Sequence, residues 1–85
     1  MRLIFAEQAW EDYVYWSVTD RKMVKRINRL IADIQREPFD GIGKPEPLRY
    51  AFAGDWSRRI DDEHRLIYHV AGDDLIILQA RLHYS

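Results

Sequence analysis

The apolar residues of this chain change their spacing once, and all three of its prolines stand at the change. Before Pro38 they recur every three or four residues; after Pro47 they fall on every second one. The first period suits helices and the second suits strands, so the chain is predicted to build its helices first and its sheet afterwards.

Leu3, Ile4 and Phe5 read as a short opening strand. Over residues 6–18, Ala9, Trp10, Tyr13, Val14 and Trp16 predict an amphipathic helix. Thr19 is predicted to cap the next helix, with Val18 and Met23 as a hydrophobic staple. Met23, Val24, Ile27, Leu30, Ile31 and Ile34 form one apolar stripe, opposed by Lys22, Lys25, Arg26 and Arg29. Pro38 ends this helix, because the residue before a proline is pushed out of helical geometry.

Beyond the proline loop, residues 49–52, 56–60, 64–70 and 75–83 read as strands with turns of Gly and Asp between them. Such short connections imply an antiparallel meander. Alternation predicts that Leu66, Tyr68 and Val70 point inward with Ile76, Leu78, Ala80 and Leu82. Trp56 and Ile60 also go in. Arg59, Arg65, Arg81 and His83 then share the uncovered face, with Ser57, Ile67, His69, Ile77 and Gln79. Arg58 lands on the buried side and is expected to reach out at an edge. The fold class is α+β: a twisted, mostly antiparallel sheet with two N-terminal helices packed on one face.

Composition bounds the function. The 85 residues suit a single domain, and 47% hydrophobic with 13% aromatic content is enough to bury a core. No cysteine is present, which removes disulfides and thiolate metal sites and gives no sign of export. The first residues are too short an apolar run for a signal peptide, and nothing approaches membrane-spanning length. A cytoplasmic protein is expected. Net charge is −1, but the positive residues gather between Asp20 and Arg36. A basic helix face can contact phosphate backbone or can simply be solvated.

Glu46 stands between Pro45 and Pro47, which hold its backbone extended at little entropic cost, as a positioned general base requires. Its plainer role is a loop carboxylate in a weak ion pair. His83 and Tyr84 close the last strand. Imidazole titrates at about 6.5 and can act as acid or base at neutral pH; alternatively the end is frayed. Arg59 and Arg65 could stabilise a phosphate through their planar forks, or pair across strands with the aspartates of the turns. Tyr84 could orient that phosphate or stack on a base, or be a core aromatic. His64, His69 and His83 lack ligand spacing, so no metal site and no cofactor is expected.

Four ordered motifs, Gly-Lys-Pro-Glu-Pro-Leu, Trp-Ser-Arg-Arg-Ile, Glu-His-Arg-Leu-Ile-Tyr and a closing His-Tyr, resemble those of the YoeB toxins of the RelE superfamily. With the opening Leu-Ile and the aromatic run from Trp10 to Trp16, the resemblance covers essentially the whole chain. It implies a RelE-like, microbial RNase-like fold. It also implies a type II toxin: a metal-independent, ribosome-dependent endoribonuclease that cuts mRNA in the A site and inhibits translation. By that resemblance Glu46 is the base, Arg65 and Arg59 stabilise the phosphate, His83 is the acid and Tyr84 assists. Lys44, Arg49, Arg81 and the helix face of Lys22, Lys25, Arg26 and Arg29 are the candidates for RNA and ribosome contact. The implied partners are the ribosome, mRNA, a second copy of the chain, and a YefM-like antitoxin that neutralises through a disordered C-terminal segment. Arg49 stands where the family more often has lysine, Tyr50-Ala51-Phe52 is more apolar than usual, and Ser85 extends past the tyrosine. Two other classes remain open: a ParE-like poison of gyrase, and an inactive, antitoxin-bound regulator of its own operon.

Overall fold

A computed structural model describes residues 1–82. The chain runs β1 (Arg2–Phe5), α1 (Glu7–Thr19), α2 (Arg21–Arg36), β2 (Glu46–Pro47), a 3₁₀ turn (Tyr50–Phe52), β3 (Trp56–Arg59), β4 (Arg65–Ala71) and β5 (Asp74–Gln79). The strands form one sheet in the order β1-β5-β4-β3-β2, in which β1 pairs with β5 in parallel and every other pair is antiparallel. This α+β architecture is the predicted one. The parallel edge arises because the chain leaves β1 through both helices and re-enters the sheet from its far side.

The stripe of α2 is buried as the spacing predicts: Met23, Ile27, Leu30, Ile31 and Ile34 meet Leu66, Tyr68, Leu75 and Ile77 of the sheet. Each such side chain contributes about 1.5–3 kcal/mol over its exposed state. Helix α1 is less segregated. It buries Ala9, Asp12 and Trp16, while Trp10 is 56% and Val18 83% exposed. The staple between Val18 and Met23 is therefore absent, and the cap is Asp20, whose carboxylate accepts from the Lys22 amide at 3.0 Å. The Thr19 hydroxyl donates instead to the Tyr15 carbonyl within α1. Pro38 stops α2 as predicted, and the helix ends at Arg36.

Two further expectations are corrected. Residues 49–52 are not a strand: Tyr50 takes a left-handed φ of 60° and begins the 3₁₀ turn, and the edge strand is Glu46–Pro47. Pro47 has no amide hydrogen to extend the ladder. In β5, Ile67 pairs with Gln79 and Tyr68 with Ile77, which leaves Leu78 as a bulge. The inward residues before it are thus Leu75 and Ile77, not Ile76 and Leu78. Beyond it the phase shifts, so Ala80 points inward and Gln79 outward as the alternation predicts. Among the described residues no helix is long and apolar enough to cross a membrane.

Candidate active site

Paired residues in a sheet share a face, so the register locates the carboxylate. Glu46 is the Cα partner of Ser57, Ser57 of Ile67, and Ile67 of Gln79. That row runs across the face the helices leave uncovered, because Trp56, Arg58, Leu66 and Tyr68 occupy the other. Glu46 is exposed at the edge of the row.

The next pair along is Arg59 opposite Arg65. Like charges directly opposed are destabilising, so the pair needs a reason to persist. The aspartates of the turns do not supply it. Asp61 accepts from the backbone of Glu63 and His64, Asp74 pairs with Arg2, and Asp73 with the N-terminus. Among the described residues neither arginine forms an ion pair, and Nη1 of Arg65 is buried without a hydrogen-bond partner. Burying a guanidinium nitrogen unsatisfied is costly; an anion delivered between the two arginines would remove that cost.

The arm that carries Glu46 hangs on Arg58, which does not reach out at an edge but is fully buried. All five of its N–H donors are used. Nε donates to the Tyr68 hydroxyl at 3.2 Å, Nη1 to Asp33 Oδ2 at 2.6 Å and the Ile42 carbonyl at 3.2 Å, and Nη2 to the Glu37 and Asp40 carbonyls at 2.7 and 3.1 Å. Tyr68 in turn donates to the Pro38 carbonyl at 2.7 Å. Hydrogen bonds from the Ile42 amide, Arg36 and Arg58 hold the Asp33 carboxyl down at about 2. Burial pushes the Tyr68 hydroxyl up. Residues 37–42 are thus wrapped around one guanidinium, and the Arg59 amide then donates to the Gly43 carbonyl at 2.6 Å. From there Lys44 and Pro45 lead directly into Glu46. The sequence signal for this hub was the parity of Arg58: an inward charge must find an inward partner. Asp33, one of two acids in the basic helix segment, is that partner.

The remaining candidates divide. Lys22, Lys25, Arg29, Lys44 and Arg49 are exposed. Arg26 is half-buried, and its guanidinium donates to the Arg59 carbonyl at 3.5 Å, so it braces β3. Arg81 does not join Arg59 and Arg65: β5 ends at Gln79, and the Arg81 guanidinium carbon lies 3.6 Å from the Tyr15 ring centroid. His83 and Tyr84 lie outside the described residues. Just before them, Ala80 and Leu82 are held by Asp12, Trp16 and His64, three residues that the sequence reading did not place in the site.

Two helices thus lie on one side of a five-stranded sheet, and the paired arginines lie on the other. A family described as the YoeB-like toxin of the bacterial type II toxin-antitoxin system matches residues 5–84. Toxin YoeB of Streptomyces coelicolor is 62% identical over 84 residues, covering 99% of this chain and 100% of that protein. The solved YoeB/ParE toxin from Agrobacterium tumefaciens superposes with a TM-score of 0.95 at 49% identity, over 99% of this chain and 100% of that one. The YoeB of a heterotetrameric YoeB-YefM toxin-antitoxin complex from Staphylococcus aureus gives 0.92 at 45% identity, over 99% and 98%. The chain belongs to the YoeB-like toxin family.

Proposed function

We propose that this toxin is a ribosome-dependent endoribonuclease that cleaves mRNA in the A site and thereby halts translation in the cytoplasm. The observation that carries the reading is the Arg59–Arg65 pair beside Glu46, with Nη1 of Arg65 buried and lacking a partner among the described residues. Glu46 takes the proton from an mRNA 2′-hydroxyl, whose oxygen attacks the adjacent phosphorus. Arg65 and Arg59 stabilise the charge that builds on the phosphorane oxygens. His83 protonates the departing 5′-oxygen, with Tyr84 orienting the phosphate, and the product ends in a 2′,3′-cyclic phosphate. No metal is needed to move either proton.

A carboxylate is a weak base for so poor an acid as a hydroxyl. Alignment must therefore contribute heavily, and the ribosome supplies it by fixing the 2′-oxygen in line with its phosphate. Lys22, Lys25 and Arg29, with Lys44 and Arg49 beside the site, meet RNA phosphates. A YefM-like antitoxin neutralises the toxin by folding an acidic segment over the cationic face, and two copies of the chain pair in that assembly.

In a translating extract, Arg65→Ala, Glu46→Gln and His83→Ala should each slow cleavage by about 10²–10⁴-fold while ribosome binding is retained. Wild-type rates in Arg65→Ala would sink the assignment. Intact mRNA with the unaltered toxin would favour a gyrase-binding poison or an inactive co-regulator.

A further inference from the structure

The backbone beyond β5 has lost its sheet partner, yet it is held by side chains placed just before His83. The Ala80 amide donates to Asp12 Oδ2 at 2.9 Å, and the Trp16 indole donates to the Ala80 carbonyl at 2.8 Å. Both peptide groups of Ala80 are therefore satisfied by α1, as a neighbouring strand would have done. The Leu82 amide donates to Nδ1 of His64 at 2.9 Å. The His64 ring stands edge-on to Trp16 with centroids 4.8 Å apart, so the two holds are coupled.

We propose that His64, Trp16 and Asp12 are positioning residues that fix the chain's entry into His83 and so set the geometry of proton delivery. This rests on the reading that His83 is the general acid. Three observations carry it. First, the holds come from two separate elements, α1 and the turn before β4, and converge on a segment only three residues long. Second, they are built from expensive groups: Asp12 is 2% exposed, and burying a carboxylate to end a strand is costly where water would satisfy an exposed amide. Third, the backbone that carries the His64 ring is itself fixed, because the His64 amide donates to Asp61 Oδ1 at 2.6 Å and the His64 carbonyl accepts from the Ile60 amide at 2.9 Å.

The chemistry asks for such a device. A general acid must be held in place, and a misplacement of about 1 Å can cost about 10²-fold in rate. To accept from Leu82, Nδ1 must carry no proton, so the His64 ring proton sits on Nε2. His64 thus acts on the acid through the backbone and never touches the substrate.

The test is single-turnover cleavage on programmed ribosomes. His64→Phe keeps a ring against Trp16 but removes the acceptor; His64→Asn keeps an acceptor near the Nδ1 position. His64→Phe should lower the cleavage rate by about 10²-fold with the ribosome dissociation constant unchanged, and His64→Asn should restore most of it. In a His83→Ala background, His64→Phe should cost nothing more, because the group it positions is gone. Trp16→Phe, which removes only the indole donor, should fall between them. Hydrogen exchange at the Leu82 amide, read on the toxin alone, should be slow in the parent and in His64→Asn and fast in His64→Phe. Should His83→Ala be inactive while His64→Phe and Trp16→Phe both cut at the parental rate, the positioning role is wrong and the acid stands. Should His83→Ala itself cut at the parental rate, the acid reading fails and takes this inference with it.

Discussion

The two segments that lead to Glu46 and towards His83 are held by opposite means. The Glu46 arm is wrapped around a single buried cation, Arg58, whose five donors reach a carboxylate, a hydroxyl and three carbonyls. The segment Ala80 to Leu82 is held by separate contacts from α1 and His64, each closing one backbone group or one ring. The first device is close to all-or-none, because removing Asp33 leaves the Arg58 charge uncompensated in the interior. The second is graded. The proposed base would need one invariant position, and the proline loop alone cannot give it, since prolines stiffen a segment without docking it. The guanidinium supplies the docking.

Removing the cation should break the contrast most severely. Arg58→Met keeps much of the apolar stem but takes the buried cation from Asp33, which keeps Arg36 and the Ile42 amide, and leaves the Glu37, Asp40 and Ile42 carbonyls without their donor. A loss of about 3–5 kcal/mol is expected in urea or guanidinium denaturation. The same hub sets the acid limb of stability. The folded Asp33 carboxyl titrates at about 2 against an ordinary 3.8, a depressed pKa, so its contribution is fully present above about pH 4 and is lost as pH falls towards 2. Denaturation midpoints taken from pH 5 down to 2 should show that fall, and Asp33→Asn should flatten it.

Gly41 sharpens the comparison at smaller cost. Its φ of 133° is a conformation side chains avoid, and an added Cβ would lie 2.0 Å from Asp33 Oδ2 and 3.1 Å from Arg58 Nη1. Gly41→Ala should destabilise by more than about 1 kcal/mol. It should also slow cleavage more than a comparable destabilisation placed in α1. If it lowers stability without touching cleavage, the hub holds the fold but not the base.

The difference between the arms also explains what could be read from the sequence. The α2 stripe, its stop at Pro38, the inward parity of Leu66 and Tyr68 and the outward parity of Arg59 and Arg65 follow from local spacing, and all of them hold. Arg58's network does not follow, because its partners lie 10 to 25 residues away in sequence and three of them are backbone carbonyls. The bulge at Leu78 has no residue signature, so strict alternation put Ile76 and Leu78 inward. Tyr50, Ala51 and Phe52 are aromatic and apolar, hence strand-like by propensity, but the turn that returns the chain to β3 overrides that. His64 was weighed only as a metal ligand, and its actual bond, to an amide 18 residues on, leaves no trace in spacing.

Arg81 gives the smallest effect and separates two accounts of one residue. Alternation placed it on the uncovered face with Arg59 and Arg65; the structure seats its guanidinium over Tyr15, beside the Trp16 contact to Ala80. Arg81→Met keeps the stem's apolar packing and removes the charge, so only the cation–π attraction is lost, about 0.5–1 kcal/mol of stability. If Arg81 belongs to the hold on the chain end, that variant should leave the salt dependence of ribosome binding where it was. Lys25→Glu, on the exposed face of α2, should flatten the slope by about one to two phosphate contacts, because fewer counterions are released. A slope that moves with Arg81→Met as it does with Lys25→Glu would mean the arginine leaves Tyr15 for RNA, and the chain end would then be held by Asp12, Trp16 and His64 alone.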